Sequence, residues 1–143
     1  MEITIRKISK EDVTHIAVLC SQLGYPLSLE QVIQNMNDVM SNKDHDAFVA
    51  VHQQLVIGWI GVSNSIKIEM PPYCEVHGLV IDDHFRGHGV GKMLLEKAKE
   101  WAREKGHDRL ALHCNVNRTE TLLFYDHLGF REVKQQKFLE IEI

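Results

Sequence analysis

The segment Arg86-Gly87-His88-Gly89-Val90-Gly91-Lys92 constrains this chain most, because it joins a strand to a helix through glycines. Upstream, Val76 to Ile81 reads as a strand interrupted only by Gly78. Downstream, Val90, Met93, Leu94, Ala98 and Trp101 recur at helical spacing among good helix formers. Glycines at such a turn let several backbone N–H groups face one anion, and the unsatisfied first amides of the helix add to the attraction. The same glycines would serve a tight turn that binds nothing, so the surrounding chain has to decide.

At 143 residues and 44% hydrophobic content, the chain suits one globular domain, residues 1–143, with a sizeable core. No run of about 18 apolar residues exists, so a spanning helix is excluded. The opening Met1-Glu2-Ile3-Thr4-Ile5-Arg6 alternates polar and apolar without a signal core, which argues for the cytoplasm. Cys20, Cys74 and Cys114 lack metal-ligand spacing; they are expected to be reduced, and no metal is expected. A net charge of −4 without a basic patch disfavours nucleic acid as a partner.

Along the chain, Ile3, Ile5 and Ile8 open a first strand, and Ser9-Lys10-Glu11-Asp12 resembles a capping box before an amphipathic helix that ends at Gly24-Tyr25-Pro26. Ser28 with Gln31 starts a second helix. Ala47 to Val51 and Leu55 to Ser63 read as strands joined at His52-Gln53-Gln54. Met70-Pro71-Pro72 is expected to be a loop, since neither proline can donate to a ladder. Cys74 to Ile81 is a fourth strand, Gly89 to Lys105 a long helix, Arg109 to Cys114 a fifth strand and Thr119 to Leu128 a short helix. Phe130 to Val133 and Lys137 to Ile143 are expected to close the chain as a hairpin. The pattern is a mixed α/β domain with helices packed on a sheet.

Two elements carry a resemblance. Arg86-Gly87-His88-Gly89-Val90-Gly91 follows a strand, and a later helix, Arg118-Thr119-Glu120-Thr121-Leu122-Leu123-Phe124-Tyr125, carries an aromatic pair before Gly129-Phe130. Together, in this order, they resemble the GCN5-related N-acetyltransferase superfamily. The resemblance covers essentially the whole chain. It implies a mostly antiparallel sheet of about six or seven strands, splayed between the fourth and fifth, with acetyl-CoA in the opening. It further implies that the diphosphate meets backbone amides across Arg86, Gly87, His88, Gly89, Val90, Gly91 and Lys92. The pantetheine arm would pair with the strand edge at Leu79, Val80 and Ile81. Many members place an Asn ahead of the tyrosine where this chain has Arg118, so Asn115 and then Asn117 become the candidates for that cofactor contact. A nucleotide-hydrolysing loop is excluded, because Lys92 is followed by Met93 and no hydroxyl is available for magnesium.

Moving an acetyl group from a thioester to an amine needs a neutral amine, a stabilised oxyanion and a proton for the departing thiolate. No Gly-x-Ser-x-Gly elbow is present, so direct attack by the amine is the simpler route. Glu75 and His77 lie two apart on one strand and share a face, which makes both candidates for the base. The plain reading of each, a strand-end surface charge and a satisfied histidine, stands beside the catalytic one. Cys74 should face the other way. Tyr125 matches the family tyrosine that protonates the leaving thiolate, and an ordinary phenol stays protonated at neutral pH.

The resemblance further implies an acceptor site shaped by the first two helices, their connection and the segment before the fourth strand. That directs attention to Leu23–Leu27 and Lys67–Tyr73, with Tyr25, Tyr73 and Glu69 as the candidate contacts. The expected acceptor is a small-molecule primary amine, with an aminoglycoside or polyamine-like cation weakly favoured by the acidity. A protein N-terminus or lysine is an alternative acceptor, and a noncatalytic acyl-CoA-binding module an alternative class. No membrane partner is expected, and the resemblance implies a possible homodimer.

Overall fold

The alternation at the N-terminus forms β1 (Thr4–Lys7) in the computed structural model, which describes residues 1–143. A 3-10 turn at Lys10–Asp12 then leads into α1 (Val13–Leu23). The Asp12 half of the capping box forms: the Ser9 N–H donates to Asp12 Oδ2 at 2.8 Å. Asp12 is buried and also accepts two bonds from the Arg6 guanidinium, each 2.8 Å. Gly24, in the left-handed region at φ +103°, ends α1. Next comes α2 (Leu29–Ser41), capped as its sequence predicts by Ser28 Oγ accepting the Gln31 N–H at 3.1 Å.

The chain then builds its sheet. β2 (His45–His52), β3 (Leu55–Lys67) and β4 (Met70–Ile81) join β1 in antiparallel order, and β5 (Leu110–Leu112) pairs parallel with β4 after the crossover α3 (Val90–Glu104). The helices cover opposite faces. On β3, a Cβ built at Gly58 would meet Leu94 of α3 at 3.3 Å, whereas its neighbour Trp59 packs on the α1–α2 cluster. Successive strand residues point to opposite faces, so α3 lies on one side and α1 with α2 on the other. Ile16, Leu19, Val32 and Met36 fill the second layer against Val49, Val56 and Val80.

Two compact units result, Met1–His113 and Cys114–Ile143. The second contains α4 (Thr119–His127) and ends it at Gly129, again left-handed at φ +94°. No helix is long and apolar enough to cross a membrane.

Four expectations need correction. Met70-Pro71-Pro72 opens β4 rather than forming a loop, because the register is irregular between Ser65 and Lys67 and the prolines fall where no ladder bond is lost. The closing hairpin is absent, and residues 128–143 contain no strand. Its apolar side chains, Val133, Phe138, Leu139, Ile141 and Ile143, are all exposed, and a two-stranded ribbon with no buried face is marginal by itself. The sheet therefore has five strands, not six or seven. β5 is also shorter than read, ending where its partner bulges: Gly61 pairs with Gly78 but Val62 with Val76, leaving His77 unmatched.

Candidate active site

That bulge shapes the site. Beyond Val76 the outer edge of β4 has no strand partner, so the backbone groups from His77 to Ile81 on that side are free, Leu79, Val80 and Ile81 among them. This is the expected splay. The unmatched His77 leans back over its own strand, and its Nδ1 lies 3.1 Å from Glu75 Oε2. Its Nε2 lies 2.5 Å from the hydroxyl of Ser63 on β3. A carboxylate can only accept, so Nδ1 carries the hydrogen toward Glu75 and Nε2 accepts from Ser63. His77 is 46% exposed, Glu75 17% and Ser63 4%: the relay opens to solvent at the imidazole and is closed at its serine.

Around this line, the ring of His45 stacks on His77 with centroids 5.5 Å apart. His113 Nδ1 stands 3.8 Å from the other oxygen of Glu75. Cys74 turns inward as expected. Burial, and then the Glu75 charge, push its thiol up to about 11, so it is no thiolate at neutral pH. Tyr73 is buried between Lys67 and Arg109, whose charges sit 5.4 and 5.0 Å from its ring centre, and its hydroxyl lies 3.5 Å from Glu75 Oε1.

The loop that follows β4 takes the form its glycines predicted. Gly87 and Gly89 are both left-handed, at φ +82° and +78°, and Gly89 caps α3. A Cβ at either would meet nothing within 4 Å, so the turn needs glycine for its backbone angles and not for space. Arg86 turns back to Asp83, 2.9 Å away, and His88 and Lys92 are exposed beside the amides of Val90 and Gly91.

Within the second unit, Tyr125 is half-buried against Phe124 and Phe130, at centroid distances of 5.3 and 5.4 Å. Burial, helped by Cys114 and opposed by Arg118, holds its phenol above the ordinary value of 10.0. Asn115 Oδ1 accepts the Asn117 N–H at 2.9 Å and so stiffens the approach to α4.

Under β2, β3 and β4, on the α1–α2 side, lies a cleft of about 290 Å³. Leu27 from the α1–α2 connection lines it, as do Trp59, Gly61, His45 and His77, whereas Tyr25 is exposed elsewhere on that connection. Three participants escape a sequence reading: Ser63, His45 and Trp59. The only signal for Ser63 is a lone hydroxyl ending an apolar strand, which does not say what it faces.

The sequence profile of the acetyltransferase (GNAT) family matches residues 10–130. An uncharacterized N-acetyltransferase of Methanocaldococcus jannaschii is 37% identical over 66 residues, which are 46% of this chain but only 29% of that protein. The uncharacterized N-acetyltransferase YhdJ of Bacillus subtilis is 26% identical over 85% of this chain and 87% of its own length. Among solved structures, aminoglycoside N-acetyltransferase AAC(6')-Iy in complex with CoA is similar, with a TM-score of 0.89 at 20% identity over 99% of this chain and 96% of that one.

Proposed function

The chain belongs to the acetyltransferase (GNAT) family, and from that premise we propose that it moves an acetyl group from acetyl-CoA directly to the primary amine of a small molecule. The observation that carries the reading is the Ser63–His77–Glu75 line beside the unpaired edge of β4. The residues present fit the donor. The free edge at Leu79, Val80 and Ile81 suits the amides of a pantetheine arm, and the amides from Gly87 to Lys92, opened by two left-handed glycines, suit a diphosphate. Arg86 and His88 border that ground, and Asn115 and Asn117 are the further candidates for a cofactor contact. When bound, acetyl-CoA supplies an acetyl thioester, the electrophile that a neutral amine attacks.

The amine's proton reaches His77 Nε2 through water as the Ser63 hydroxyl turns from donor to acceptor, and Glu75 at Nδ1 balances the charge gained. A backbone N–H of β4 near Ile81 meets the carbonyl oxygen as negative charge grows there. Tyr125 donates the proton that the departing sulfur needs; a phenol held above its ordinary value keeps that proton at neutral pH. Cys74 and the buried Ser63 take no part as nucleophiles, and no acyl-enzyme forms. The two units act together as one N-acetyltransferase domain.

Three free cysteines support a reducing, cytoplasmic setting. A second copy of the chain is the partner in this reading. Leu139, Ile141 and Ile143 alternate with Glu140 and Glu142 in a strand pattern that has no ladder of its own.

Following free thiol while the protein meets acetyl-CoA and a panel of amines tests the activity. Thiol release that requires an amine is expected. CoA binding with no amine-dependent release would overturn transfer in favour of a binding module. Tyr125→Phe should lower turnover about 10²–10⁴-fold with CoA affinity kept; equal losses in both would remove Tyr125 as the acid.

A further inference from the structure

We infer that the amine this protein acetylates carries an apolar body of fragment size, seated in the cleft between α1–α2 and the sheet, and not a second positive charge. The inference rests on the acetyl-transfer reading above and names the class of its acceptor. His77 lines this cleft as well as belonging to the relay, so an amine at His77 has its body directed inward. The walls are Ile16, Leu27, Met36, Val39, Trp59 and Val62, and the volume of about 290 Å³ is at the small end for ligand sites.

The polar groups of the lining are few and mostly engaged. Asp46 is its one carboxylate, and it is held by Lys7 at 3.3 Å and by the Ala47 N–H at 2.9 Å. Asn35 accepts from Gln31 at 2.9 Å. His45 stacks on His77. The single buried side-chain polar atom without a partner is Trp59 Nε1, a donor, which repels a cation. A second ammonium here would lose its water and find no free anion, and an unpaired charge in such a place costs several kcal/mol in general. An apolar body gains from the same walls. The net charge of −4 is a property of the surface and not of this cleft.

The rival explanation is a packing void between helices and sheet. Gly61 separates the two. It lines the cleft, and a Cβ there meets only Trp59 Cζ3, at 3.5 Å, so the position admits a Cβ and Gly61→Val adds two methyl groups at the cleft wall. The experiment measures kcat/KM for a series of straight-chain alkylamines and phenethylamine against a polyamine and an aminoglycoside, in the wild type and in Gly61→Val. In the wild type, kcat/KM should rise about fourfold per added methylene until the cleft is full. In Gly61→Val, KM for phenethylamine should rise at least about tenfold with no fall in melting temperature. An unchanged KM in that variant, or a tenfold preference for the polycations, overturns the inference while leaving acetyl transfer standing. If no amine is acetylated, transfer itself fails, and calorimetry with phenethylamine alone decides the cleft. Binding lost in Gly61→Val supports it; no binding to the wild type overturns it.

Discussion

Gly78→Ala is the sharpest single perturbation of this architecture. Gly78 faces Gly61 across the β3–β4 pair, and the outer end of the Trp59 indole lies against it. A Cβ at Gly78 would stand 2.7 Å from Trp59 Cη2 and 2.9 Å from Cζ3, short of ordinary 3.4 Å contact by about 0.7 Å. The ring packs against the α1–α2 cluster on one side, so its retreat is confined to the neighbouring cleft. Overpacking of this kind costs roughly 1–3 kcal/mol. Gly78 is not left-handed, so alanine also brings the usual strand advantage of about 0.5–1 kcal/mol. The clash outweighs that gain, leaving a net loss of about 1–2 kcal/mol, or a fall in Tm of roughly 2–8 °C. Thermal melts of the single variants Gly78→Ala and Trp59→Leu and of the double variant close a cycle. With the indole gone, Gly78→Ala should be neutral or stabilising by about 0.5–1 kcal/mol. An equal cost in both backgrounds would refute the packing argument.

Asp12→Asn should cost about 1.5–3 kcal/mol at neutral pH. Burial alone would raise the Asp12 pKa, but the Arg6 bonds and the Ser9 N–H outweigh it and the value is lowered. Its stabilisation is therefore present above the unfolded value near 3.9 and lost as pH falls through the lower folded one; urea titrations in which the wild-type advantage persists unchanged into that acid range would contradict this. Gln53 and Gln54 both turn β2 into β3 at positive φ, 49° and 67°, so replacing them by Asn-Gly should stabilise the protein by about 1 kcal/mol, read from the urea midpoint. With Tyr125 raised above 10.0, the loss of rate through its ionisation should fall above that pH and vanish in Tyr125→Phe; a tyrosine-dependent fall below it would contradict the acid role. Glutamate at Leu139 and Ile141 should convert a dimer to a monomer in sedimentation velocity, and a wild-type monomer at tens of micromolar concentration would refute the pairing of tails.

Sequence by itself determined most of the local structure and the family. The glycine turn, the Ser28 cap and the periodicity of α3 depend on residues within a few positions of one another, and local chemistry settles them. That Glu75 and His77 belong together was equally legible from their spacing. The closing hairpin was misread for the complementary reason: alternation in Leu139–Ile143 expresses a tendency to pair but contains no partner. Only the tertiary structure decided what His77 does. Its bond to Ser63 spans 14 positions, and its stacking on His45 is longer-range still. Both follow from the bulge between Gly61 and Val62, a property of how two strands register against each other and of neither strand alone. The cleft has the same origin, since its apolar walls come from separate elements that each read as ordinary core. Local preference is written along the chain, whereas a site is made where distant segments meet.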